Sequence, residues 1–560
     1  MRVSCQSAAW LTLVVQLVRC EPLIDHSTDP SFLTFAANET VANCDAACTQ
    51  VQTRTEIAAH YPNVPKELRD EYFAAQQRDA IPICIIQPRT AKDVSEVVKA
   101  VTAYKCPFAV KSGGHSIAPG SSTRHHGLVL DLQLLNHVNL SEDKTIASIG
   151  PGNRWRDVYR RLEPEGLTVA GGRSGDVGVG GFTLGGGISF ISRQYGWAID
   201  NVRNFQVVLP NATVTDVNLE TNPDLYFALR GGGSNFGIVT SFDFETHEHD
   251  LLWGGTDVNF VRGLTQNRLA LGIPETYDWS LHSALHSALR FVAGVVRSTA
   301  DMFGYGTLPQ SLVDGFVGLS KDTQMDAGAH GFLFFSWMPP AKSYLIGSTF
   351  AYNQPVERPS ALGGLVNISN VFNTRKLRKM SDFAQEVEGL IEPGLRHNWR
   401  TSTFKVNSEF ISELWNIFLV ETNEIRLVVP DAVLSYNLQL LTKHEISLFS
   451  RNGGNAFGIT EDEGPLFLFS VTVGYHAAKH DEVVQKTVES LISKAVALGK
   501  ERGLYHPFIY ANYAAADQDL FSGFSPESKK RLLDIQEQYD PGQVFASLLP
   551  KHSRLHQHGM

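Results

Sequence analysis

Apolar positions along the chain alternate between short continuous runs and a spacing of three to four residues. This is the pattern of buried strands interleaved with amphipathic helices. Residues 22–80 are polar and irregular, with one candidate helix at 66–77. A strand follows at 83–87, then a helix at 91–103 for which Thr90 is the candidate N-cap. Strands at 107–110, 127–132 and 145–149 lead to a helix at 154–162 and a strand at 167–170. Ile188, Ile191 and Tyr195 share helical spacing, 205–217 reads as a hairpin turning at Pro210, Asn211 and Ala212, and 224–230 reads as a helix. Past 251 the pattern weakens, with helices expected at 281–296 and 308–319. Longer strands at 330–337, 347–352, 434–441 and 466–476 then alternate with helices at 382–395, 408–419 and 481–498. Such strands, with helices grouped about them, predict an antiparallel sheet covered on one face. At 560 residues the chain exceeds what one core usually holds, so two domains are expected.

Three glycine clusters interrupt this pattern. The first lies in Cys106 to Gly120, CPFAVKSGGHSIAPG, where a buried run ends in Lys111, Ser112, Gly113 and Gly114 and delivers His115 and Ser116. Glycines let the backbone turn through left-handed angles and approach a ligand closely, and the N–H groups of such a turn form an anion-binding concavity suited to phosphate. An imidazole held there can be a base, a ligand or a covalent anchor. The second cluster is GGRSGDVGVGGFTLGGG at 171–187 and the third GGGSNFG at 231–237. Neither has the spacing of a Rossmann site or a P-loop.

KSGGHS, VGVGGFTLGGG, YGWAIDNV, NPDLYFALRGGGSNFGIVTSF, YANY and YDPGQVF together resemble the berberine bridge enzyme-like oxidoreductases, whose flavin domain is of the p-cresol methylhydroxylase type. The likeness is close over 81–246 and 453–550 and thin between them. It implies an α+β fold. A signal peptide at 1–20 and an N-terminal arm at 21–77 would precede a two-part FAD-binding domain at 78–250. A substrate domain at 251–504, whose antiparallel sheet roofs the flavin, would be followed by a return to the FAD domain at 505–550 and a tail at 551–560.

In such a protein His115 bonds the flavin at its 8α carbon. Many relatives add a second bond from a cysteine three residues before the Val-Gly-x-Gly-Gly run. Ser174 stands there, so a single covalent link is expected. The resemblance gives flavin contacts to Lys111, Ser112, Gly113, Gly114, Ser116, Gly178, Gly180, Gly181, Gly185 and Gly186. It adds Asp200, Asn201, Gly237, Val239 and Asn512. Val177 matches the position that gates oxygen. Three residues compete for the catalytic base: Tyr510 of YANY, Tyr513, which would face the other way on a regular strand, and His476 at the end of VTVGYH. The glutamate of plant relatives is absent from SLFSRNGGN.

The activity implied is a secreted FAD oxidase of a small metabolite, with hydride passing to flavin N5 and dioxygen returning it as hydrogen peroxide. Oxidative ring closure is one outcome such chemistry has. An oligosaccharide oxidase, which Ser174 disfavours, and a flavin-binding protein of little turnover are the alternatives.

Composition narrows the partners. Hydrophobic content of 43% and charged content of 19% suit a soluble globular protein. A formal charge of -10 without a basic cluster argues against nucleic acid. Arg2 followed by a mostly apolar stretch to Val18 reads as a cleavable secretory signal, too short to span a bilayer, and no other apolar run is long enough. Sequons begin at Asn38, Asn139, Asn211 and Asn367. Once Cys5 and Cys20 leave with the signal, Cys44, Cys48, Cys84 and Cys106 remain. They suit one or two disulfides with three connectivities open, and no metal-ligand spacing is present.

Overall fold

A computed structural model describes residues 30–54, 56–260, 308–321, 326–550 and 554–555. The expected leader at 1–20, the helix at 281–296 and most of the tail at 551–560 lie outside these residues. Three parallel strands open the architecture, with Leu128–Asp131 between Cys84–Gln87 and Phe108–Lys111. Ala58–His60 adds an antiparallel edge. Every residue of Cys84–Gln87 and of Leu128–Asp131 is buried, as a parallel sheet covered on both faces requires. Helix Ala91–Tyr104 supplies one cover through Val94, Val97, Val98 and Val101. Thr90 caps it, accepting from Asp93 N–H while the Asp93 carboxylate accepts from Thr90 N–H.

A second, wholly antiparallel sheet has the order Val138–Leu140, Ile146–Ile149, Ile238–Glu245, Val202–Val208, Val214–Val217. Helix Trp155–Leu162 buries Trp155, Val158, Tyr159 and Leu162 in the same core. The third sheet has, among the described residues, nine strands, all antiparallel. Its long members run in the order Leu252–Phe260, Ser343–Tyr352, Ala329–Met338, Val433–Leu441, Leu466–Tyr475, Arg396–Lys405. Along Ala329–Met338 the two-residue period divides the side chains: Leu333 and Phe335 enter the core with helices Ser408–Val428 and Asp481–Glu501, while Phe332, Phe334 and Ser336 line a cavity on the other face. Among the described residues no helix is long and apolar enough to cross a membrane.

Several expected elements differ. The segment read as an irregular arm contains a 25-residue helix, Pro30–Arg54. Its buried face consists of Cys44, Ala47, Cys48 and Val51, small residues that mark a helix weakly. Disulfides Cys44–Cys106 and Cys48–Cys84 fasten that face to the first sheet, so of the one or two bridges expected two are present, in this one of the three open connectivities. Closing loops of 62 and 36 residues restricts the unfolded chain by roughly 4 kcal/mol each on the chain-entropy model. The helix expected at 66–77 is broken into Lys66–Asp70 and Ala75–Arg78.

The helix expected from Ile188 begins earlier, as Val179–Leu184 inside the glycine run, and resumes only at Ser192–Tyr195. Gly186 and Gly187, at φ +106° and +82°, break the path between them. The helix expected at 382–395 ends at Glu388, and strand Arg396–Lys405 (RHNWRTSTFK) follows. Its many polar side chains hid it from an apolar pattern.

Candidate active site

Two glycine loops meet backbone to backbone. A Cβ on Gly113 would stand 2.5 Å from Gly178 N, and one on Gly178 would stand 2.2 Å from Gly113 N, so neither position has room for a side chain. Gly114 then turns at φ +69°, in the left-handed region, and sends the chain on to His115. Ser112 ties the crossing together, its Oγ donating to Pro151 O at 2.6 Å and accepting from Gly180 N–H at 3.1 Å. Above lies a cavity of about 620 Å³, floored by the three glycine loops and roofed by the long sheet.

His115 is fixed on two sides. Its Nε2 stands 3.1 Å from Asp176 Oδ2, and its ring stacks on Phe73 at 3.9 Å between centroids and 18° between planes. The other face of Phe73 takes His397 at 4.6 Å. Burial pushes the His397 imidazole down to about 4, with the neighbouring His115 pulling the same way, so it is neutral at physiological pH. His397 Nε2–H donates to Glu392 O.

At another part of the cavity Arg173 projects from the second glycine loop, the single arginine or lysine among the described lining residues. Its Nη1 donates to His330 Nε2 at 3.1 Å and to Gln439 Oε1, its Nη2 donates to Tyr513 Oη at 2.8 Å, and the guanidinium lies 4.8 Å over the Phe332 ring. Burial drives His330 well below the ordinary imidazole range, and Arg173 and Arg193 drive it further, which leaves Nε2 free to accept. Beside this group the roof presents Ser435, Asn437, Gln439, Ser470 and Thr472, an uncharged hydrogen-bonding strip flanked by Phe334 and Trp399.

Of the residues expected to hold a flavin, the cavity is lined by Ser112, Gly113, Gly114, His115, Ser116 and Val177. It is also lined by Gly178, Gly180, Gly181, Gly185, Gly237, Val239 and Asn512. Four stand elsewhere. Lys111 is buried beneath the turn, its Nζ donating to Asp131 at 3.1 Å and to Glu71 at 2.8 Å, so it is an internal counter-ion. Asp200 is fully buried against Arg230 and accepts from Trp197 N–H and from the Asn455 amide. Asn201 donates to Tyr195 O and Trp197 O. Gly186 packs on Trp197, where a Cβ would approach to 2.7 Å.

The base candidates separate as well. His476 is more than half exposed, pairs with Asp431 at 2.8 Å and stands outside the cavity, because strand Leu466–Tyr475 has ended before it. Tyr510 and Tyr513 are not on a strand. A 3₁₀ turn, Ala511–Tyr513, brings both rings to the cavity edge-to-face at 4.8 Å, since its three-residue period returns them to one side. Tyr510 is buried, its oxygen accepting from Ile188 N–H and the Asn512 amide. Burial raises its hydroxyl well above the phenol range despite those bonds. Only Tyr513 has a cation on its oxygen. Sequence reasoning missed Phe73, Arg173, Asp176, His397 and Trp399. Arg173 and Asp176 could have been noticed as charges inside a glycine loop, but the others reach the site only through tertiary folding.

A model of the FAD binding domain matches residues 82–218. The chain is 32% identical to the FAD-dependent monooxygenase FUP4 of Fusarium proliferatum over 539 residues, covering 91% of this chain and 94% of that one. It is 30% identical to the FAD-dependent monooxygenase tpcD of Cochliobolus heterostrophus, covering 91% and 93%. Among solved structures, 6-hydroxy-D-nicotine oxidase from Arthrobacter nicotinovorans superposes with a TM-score of 0.65 at 18% identity, covering 88% of this chain and 96% of that one. Glucooligosaccharide oxidase from Acremonium strictum, described as carrying 6-S-cysteinyl, 8α-N1-histidyl FAD, has the same fold at a TM-score of 0.63 and 19% identity, covering 90% and 97%.

Glycine loops under a roofed cavity, together with these matches, define an FAD-dependent oxidoreductase. The chain belongs to the family of FAD-dependent oxidoreductases that these curated relatives represent, and it shares the fold of Physcomitrella patens BBE-like 1, at a TM-score of 0.64 and 19% identity. The cavity fits the cofactor: at Gly181 a Cβ would meet nothing within 4 Å, and at Gly233 only Asn235 at 3.9 Å, so open space lies over both backbones.

These two kinds of glycine predict different effects on stability. Gly178→Ala forces the loops apart and is expected to cost about 1–3 kcal/mol by overpacking and to lower flavin content at least tenfold. Gly181→Ala, with space around it, should leave the melting temperature nearly unchanged while its methyl group intrudes on the flavin. Flavin absorbance per protein and thermal melts of the two variants check this.

Proposed function

We propose that the chain is a secreted oxidase that holds one FAD through His115 alone and oxidises a small phenolic or otherwise apolar metabolite. The observation that carries this reading is the placement of Tyr513 and Arg173 in the cavity that His115 also lines. Bound FAD would supply N5 as hydride acceptor and hand the electrons to dioxygen, giving hydrogen peroxide. As the phenolate, Tyr513 would take the proton of the substrate hydroxyl or amine through Oη. Arg173 keeps that oxygen turned into the cavity and places a positive charge 2.8 Å from it in a charge-assisted hydrogen bond. The uncharged roof strip hydrogen-bonds substrate oxygens, and Phe334 and Trp399 flank an aromatic ring. Single attachment is supported by Ser174, which has no thiol for a cysteinyl bond. Secretion is supported by the two disulfides and by exposed sequon asparagines at 139, 211 and 367.

The curated relatives are named monooxygenases, and the two outcomes part at the fate of oxygen. Aerobic turnover of a phenolic panel in ¹⁸O-labelled dioxygen is expected to give hydrogen peroxide in step with product and no label in it. Labelled product without peroxide would replace the oxidase reading by a monooxygenase. Tyr513→Phe is expected to slow anaerobic flavin reduction by 10²-fold or more at unchanged flavin content, in the range of a lost general base. Val177, which lines the cavity, is read as the oxygen gate. Val177→Leu should slow reoxidation about tenfold, or ~1.4 kcal/mol of barrier, with flavin reduction nearly unchanged. Stopped-flow traces separate the two half-reactions, and parent-like reoxidation with a lowered melting temperature would make Val177 a packing residue.

A further inference from the structure

We propose that Asp176 is the positioning residue that readies His115 to bond FAD, and that Ser174 positions Asp176 in turn. The inference rests on the covalent reading above. Three side chains form one relay: Ser174 Oγ donates to Asp176 Oδ1 at 2.7 Å, and Asp176 Oδ2 faces His115 Nε2 at 3.1 Å. An ionised carboxylate only accepts, so the proton between the last two sits on Nε2 and the imidazole lone pair sits on Nδ1. Burial raises the Asp176 carboxyl, but the hydrogen bonds from His115 and Ser174 and the charge of Arg154 outweigh it and hold the group below the ordinary carboxylate range.

The backbone is held too. Arg154 Nη1 donates to Asp176 O, and Phe73 N–H donates to Gly114 O at 3.1 Å while the Phe73 ring fixes the plane of His115. Serine at a position where relatives carry a linking cysteine is therefore a working part of the remaining link.

The chemistry balances with dioxygen as oxidant. Nδ1 uses its lone pair to form an N–C bond to the 8α carbon, one C–H bond of that methyl group breaks, and its electron pair passes into the flavin. The ring gains positive charge as the bond forms, and the Asp176 carboxylate beside Nε2 stabilises it. Dioxygen then takes the two electrons with two protons, one from the methyl group and one from Nε2–H, and leaves as hydrogen peroxide.

The test measures total flavin per protein and, after acid precipitation, the fraction that stays with the polypeptide. The parent protein should retain nearly all of its flavin. Asp176→Asn should lower the acid-stable fraction at least tenfold while total flavin changes less than twofold, and Asp176→Glu should restore part of it. Ser174→Ala, which keeps the carboxylate and removes its support, should slow linkage three- to tenfold when flavin-free protein is mixed with FAD. If acid strips the parent itself, the covalent reading fails. If the parent is linked and Asp176→Asn links as completely and as fast, the relay is overturned and the covalent reading stands. If Asp176→Asn binds no flavin while Ser174→Ala links at the parental rate, Asp176 serves the fold alone and the proposal is overturned.

Discussion

The contact between Gly113 and Gly178 is the constraint on which the site depends. Two loops from different sheets, one leaving the parallel strands and one leading into the helix at Val179–Leu184, touch where neither tolerates a Cβ. That crossing brings His115 within hydrogen-bond reach of Asp176, 61 residues away. It also sets Ser112 against Gly180 and shapes the cavity floor. The disulfides act one layer further out, pinning the Pro30–Arg54 helix to the sheet that delivers the first loop. Backbone contact defines this centre more than side-chain packing does, which is why glycines are concentrated there.

Charge is distributed around the floor in a consistent way. Lys111, Asp131, Asp200 and Arg230 are neutralised by one another inside the core, where an unpaired ion would be costly. The cavity itself is lined by His397, whose imidazole burial keeps neutral, and by Arg173, whose guanidinium bonds His330, Gln439 and Tyr513. Over that guanidinium the roof strip is polar and uncharged.

The loop crossing was legible in the sequence because its chemistry is local: consecutive glycines state their own backbone needs. The paired strands Val433–Leu441 and Leu466–Tyr475 were legible through their apolar runs, whereas Arg396–Lys405 was not, its polar side chains being taken up by partners distant in sequence: Arg396 pairs with Asp79 and Asp481, Thr401 and Thr403 donate to Phe469 O and Phe508 O, and His397 lines the cavity. Lys111, Asp200 and Asn201 were over-read, since polar residues beside a glycine loop look alike whether they face a ligand or satisfy the core. Phe73, His397 and Trp399 come from the N-terminal segment and the long sheet. Only tertiary folding sets them beside His115, and no local pattern marks them. The two tyrosines were misjudged on one assumption, a regular strand, where a 3₁₀ turn changes the period.

The most direct test of this account is proteolytic mapping of the purified, acid-denatured protein by mass spectrometry. The account predicts one flavin mass, on the peptide that contains His115 and on no other. A colourless protein, flavin released by acid, or flavin on a different peptide would contradict it.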